Sequence, residues 1–92
     1  MTVRKLQSQE AQQVETGAIV RSHGRDALQF ELAGRVMTIP VEIGRDGDFV
    51  YLPAAPRWDD GEPVDPQTAA LLRPVITEIE RFWGMEPGFA DS

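Results

Sequence analysis

The stretch Ala27-Leu-Gln-Phe-Glu-Leu-Ala-Gly-Arg-Val-Met-Thr-Ile-Pro-Val-Glu-Ile43 decides the fold, because its apolar residues change phase partway along. Leu28, Phe30 and Leu32 are even-numbered, whereas Met37, Ile39, Val41 and Ile43 are odd-numbered. Successive side chains of a strand point to opposite faces, so one straight strand would bury one set and expose the other. A turn at Ala33-Gly34 removes the conflict and gives two antiparallel strands. Pro40 has no N–H for a ladder, so it is expected at an edge or with its nitrogen turned away from the pairing.

Working outward, Ala18-Ile-Val-Arg-Ser22 reads as a short strand and His23-Gly24 as the turn after it. Gly44-Arg-Asp-Gly47 is a hairpin signal, since Asp-Gly tolerates the positive φ of tight turns. Asp48 to Leu52 is then a fourth strand, ended by Pro53 and Pro56. Asp65-Pro66 opens a helix, with Asp as N-cap and Pro at the first helical position. Leu72, Val75, Ile76, Ile79, Phe82 and Trp83 form its apolar stripe, Glu78, Glu80 and Arg81 take the other faces, and Gly84 caps the end. Pro74 predicts a kink or two helical pieces. The expected fold is α+β: a four-stranded antiparallel β-meander with one C-terminal helix, kinked near Pro74, packed on one face. Residues 1–16, polar and with Gln at 7, 9, 12 and 13, read as a flexible or partly helical arm. Residues 17–84 make a single domain, and 85–92 a tail.

Composition narrows the function. The 92 residues contain no cysteine, which excludes a disulfide framework, a thiolate zinc site and a cysteine nucleophile. No apolar run approaches the ~20 residues that span a bilayer, and the first residues lack the apolar core of a signal peptide. A cytoplasmic protein without a membrane role is expected. The net charge of −6 argues against nucleic acid and suits a basic protein partner.

Catalytic patterns are weak. His23 is the single histidine and lies in a turn; Ser22, beside it on a strand end, points the other way, and no Gly-x-Ser-x-Gly elbow is present. Neither the Asp46–Asp48 turn nor the acids after Trp58 have a metal-binding spacing. No phosphate-cradling glycine loop precedes the helix. An enzyme, a metal and a cofactor are therefore not expected. From Asp46 to Asp65 six acids (Asp46, Asp48, Asp59, Asp60, Glu62, Asp65) face Arg57 alone. Gathered at one end of the sheet they would form a negative patch, with Tyr51 in reach. Trp58 has two readings, a core ring that closes one end of the domain or an interface anchor.

Phe49-Val-Tyr51, Arg57-Trp58-Asp59, the acidic Pro-containing loop and a helix carrying Ile76, Ile79 and Phe82 before Gly84 resemble a family of small bacterial immunity proteins from polymorphic toxin systems, the immunity family numbered seventy-four. The resemblance covers Gly17 to Phe89, with Glu42 at a strand position where such proteins carry a Glu. It implies a cytoplasmic α+β protein that binds and neutralises a cognate toxin. The expected contact residues are Asp48, Tyr51, Arg57, Trp58, Asp59, Asp60 and Glu62. The alternatives are a self-associating domain, pairing as a homodimer through an edge strand or the helix aromatics, and a small ligand-binding protein.

Overall fold

A computed structural model describes residues 2–45 and 47–91. The chain runs β1 (Val3–Gln7), β2 (Glu10–Gln13), β3 (Ile19–Ser22), β4 (Ala27–Leu32), β5 (Arg35–Ile43), β6 (Asp48–Leu52), α1 (Pro66–Phe82) and β7 (Gly88–Asp91). The strands form one seven-stranded sheet in sequential order. All neighbours are antiparallel except β6 and β7, which run parallel with α1 as the crossover between them.

The expected four-stranded meander is therefore corrected to a seven-stranded mixed sheet. The four strands of the meander are present as β3 to β6. The three others come from segments whose patterning carries little apolar signal. Residues 1–16, read as an arm, supply β1 and β2, paired from Val3↔Gln13 to Gln7↔Glu10. Their turn is made by Ser8 and Gln9, the latter at φ 62°. The tail supplies β7, where Phe89 pairs with Val50 and Gly88 with Phe49.

The phase change around Ala33-Gly34 resolves as the sequence demands. Ala33 (φ 53°) and Gly34 (φ 80°) both take left-handed backbone, which matches the right-handed twist of a two-residue hairpin. Phe30 then pairs with Met37 and Leu28 with Ile39, so both sets share one face. Pro40 pairs with Ala27. Its nitrogen points to the opposite side of β5, where pairing with β6 begins only at Val41.

That common face is the core. Ala11, Val20, Phe30, Met37, Ile39 and Val50 from the sheet meet Leu72, Val75, Ile76 and Ile79 of α1. Asp65 caps the helix by accepting from the Thr68 N–H at 3.0 Å. The helix is a single element that continues through Pro74 rather than two pieces. Pro74 and Ala70 are both exposed, so the carbonyl that loses its partner faces solvent. Among the described residues, no helix lies over the opposite face of the sheet. Across β2 to β4 it is closed by an ion-pair ladder, in which Arg21 reaches Glu31 at 2.9 Å, Glu10 at 3.3 Å and Gln29 at 3.0 Å.

Candidate functional site

The loop of residues 53–64 carries most of the expected contact residues, and the fold puts several of them to internal use. Trp58 is 6 % exposed and stacks on Phe30 with 6.5 Å between ring centroids, so its ring closes the core. Asp59 docks the loop on the side of β5 that β6 leaves open. Its N–H donates to the Val36 carbonyl at 2.9 Å. Its carboxylate accepts from the Thr38 N–H and from Thr38 Oγ1, each at 2.8 Å. Asp60 accepts from the Glu62 N–H at 2.9 Å and pairs with Arg35 at 3.2 Å. The Glu62 N–H, then the Arg35 guanidinium, hold the Asp60 carboxyl below its usual value. Arg35 also lies over the Trp58 ring, 5.2 Å from its centroid. Arg57 donates to the Gly61 carbonyl at 2.9 Å. The Glu62 side chain is exposed. Asp46, counted with these acids in the sequence, lies outside the described residues.

Tyr51 sits elsewhere, on the uncovered face of the sheet. Its hydroxyl donates to Glu42 at 2.7 Å, and this bond raises the phenol above its ordinary value. Phe49 meets Tyr51 edge-on with centroids 5.4 Å apart. Phe49 remains 43 % exposed. Two aromatic rings and a carboxylate thus share an open surface on β5 and β6.

Asp48 belongs to a third place, a cleft of about 260 Å³ under the C-terminal end of α1. Its opposing wall is Glu80, which the sequence reading placed on a solvent face. Glu80 is only 5 % exposed. Its Oε2 is buried, and among the described residues no N–H donor reaches it; the polar group beside it is the Asp48 carboxyl, which bonds to Glu80 only when one of the two is protonated. Burial, then the hydrogen bond and charge of the adjacent Asp48, push the Glu80 carboxyl up to about 8. A signal for this was in the spacing: Glu80 continues the i, i+4 row of Leu72 and Ile76, and Trp83 follows three residues later. The apolar walls include Val20, Leu28, Ile79 and Trp83.

The fold therefore does not gather the expected contact residues into one patch. It divides them among a self-bonded loop, an aromatic surface and a cleft. Among the described residues, no group of three or more His, Asp or Glu is arranged to hold a metal ion, and no helix is long and apolar enough to cross a membrane. Comparison with protein-family models, with curated proteins and with solved structures finds no match to this chain.

Proposed function

We propose that the protein is a non-enzymatic binding module that engages a basic protein partner through the uncovered face of β5 and β6. The Glu42–Tyr51–Phe49 group carries this reading. Each ring is held by a neighbour, Tyr51 by its bond to Glu42 and Phe49 by its edge contact with Tyr51. Rings held in place before association lose little side-chain freedom on binding, and aromatic anchors dominate many interfaces. The net charge of −6 draws a basic partner to the protein. Trp58, Asp59 and Arg57 give the separate loop of residues 53–64 its shape, and the exposed Glu62 and the Arg35-paired Asp60 lie on it. Neutralisation of a cognate bacterial toxin in the cytoplasm is the finer part of the proposal, and the resemblance of Phe49-Val-Tyr51 and Arg57-Trp58-Asp59 to the immunity family supports it.

The test is co-expression with a toxin domain encoded beside the gene. The expected result is rescue of growth and a one-to-one complex that Phe49→Ala or Tyr51→Ala weakens by about tenfold or more. Neither rescue nor complex rejects the toxin partner, and a complex indifferent to both substitutions rejects this surface. A stable homodimer lost on Phe49→Ala would transfer the surface to self-association.

A further inference from the structure

We propose that the cleft under the end of α1 is a binding site for an organic cation, an ammonium or guanidinium head on a short apolar stem. The head would meet the Glu80 and Asp48 carboxyls, and the stem would lie against Val20, Leu28, Ile79 and Trp83.

The first ground is an unmet acceptor. Buried polar atoms are nearly always satisfied, and among the described residues no N–H donor reaches Glu80 Oε2 although Glu80 is 5 % exposed. Its polar neighbour is a second carboxyl, which can bond to it only through a proton. A cationic donor is the group this arrangement lacks. The second ground is size and lining. About 260 Å³ falls below the roughly 300–1,000 Å³ of sites for drug-sized ligands, so the cleft suits a ligand the size of a single side chain. Its walls are mainly aliphatic and aromatic, which selects a stem as well as a head.

The charges around the pair leave room for this role. Arg21, on β3, also lines the cleft, but its guanidinium is held on the opposite face of the sheet by Glu10 and Glu31. Lys5, on β1, lies over the Trp83 ring at 6.0 Å from its centroid. Arg25, in the turn after β3, also lines the cleft but is solvent-exposed, where salt and water screen it. With Glu80 pushed up to about 8, the carboxyl pair holds a proton at neutral pH. An entering cation would release that proton to the buffer, so binding should tighten as pH rises toward 8.

The test uses the full chain with n-butylammonium, n-butylguanidinium and the neutral n-butanol as probes. A blocked lysine amide separates a free amine from a basic side chain presented by another protein. Amide shifts and calorimetry in two buffers of different ionisation enthalpy would report binding and proton release. Saturable shifts confined to the cleft, proton release at pH 7, and a loss of about tenfold or more in both Glu80→Gln and Asp48→Asn are expected. Butanol binding as well as butylammonium, equal binding by the two variants, or no saturable binding by any cation would overturn the proposal. It does not depend on the β5–β6 surface, since Phe49→Ala should leave cation binding unchanged.

Discussion

Asp59 and Asp60 in the loop of residues 53–64 are surrounded by donors; Asp48 and Glu80 under α1 are not. In the loop, the Thr38 and Glu62 backbone N–H groups, the Thr38 hydroxyl and Arg35 all point at carboxylates. Charge is stabilised there, and the acids fasten the loop to the side of β5. In the cleft, burial and the neighbouring Asp48 disfavour charge on Glu80 and, among the described residues, no N–H donor offsets them, so a proton takes that place. The same side-chain chemistry thus holds structure together in one region and leaves an unsatisfied site in the other. What differs is the supply of N–H and O–H groups, and the number of acids in the sequence does not reveal it.

The loop half of this comparison breaks most severely at Trp58. Trp58→Ala removes the ring on Phe30 and the platform under Arg35, and should cost about 3–5 kcal/mol in chemical denaturation. The cleft half is sharpened by pH. A carboxyl whose folded value is raised from 4.5 to about 8 contributes stability that is full below the lower value and lost as pH rises through the upper one. Unfolding free energy should therefore fall between those limits, by at most ~1.4 kcal/mol per pH unit. Glu80→Gln should flatten the decline. Asp59→Ala comes next, at about 1–2 kcal/mol, because it leaves the Thr38 N–H without its partner. Asp60→Asn should have the smallest effect at neutral pH. Its signature is the opposite sign: with a lowered folded value, Asp60 contributes above the ordinary 3.8, and that contribution disappears as pH falls. Wild type should thus lose more stability than Asp60→Asn on acidification, measured by denaturation at matched ionic strength.

The sequence made the middle of the molecule legible and its two edges illegible, for physical reasons. β4 and most of β5 alternate apolar and polar residues, β3 and β6 are short apolar runs, and the turn signals at Ala33-Gly34 and Gly44–Gly47 mark their ends. Asp65-Pro66 and Gly84 bracket the helix in the same way. β1 and β2 turn Val3, Ala11 and Gln13 inward, a set with too little apolar weight to show a period of two. β7 has four residues, and it is the open backbone edge of β6 that recruits it. The site was legible only in pieces. Trp58 and Asp48 stood out by type and position. The division of the acids was hidden because hydrogen bonds from Thr38 and Arg35 come from distant strand residues. Glu80 was hidden because a charged residue at an inward helical position looks like the edge of a stripe until its surroundings are seen.

The most direct test is the titration of the Glu80 carboxyl carbon by NMR in the wild-type chain. A midpoint near 8, shifted by Asp48→Asn, is the predicted result. A midpoint at the ordinary 4.5, unmoved by that substitution, would contradict the donor-poor cleft and with it the contrast between the two regions.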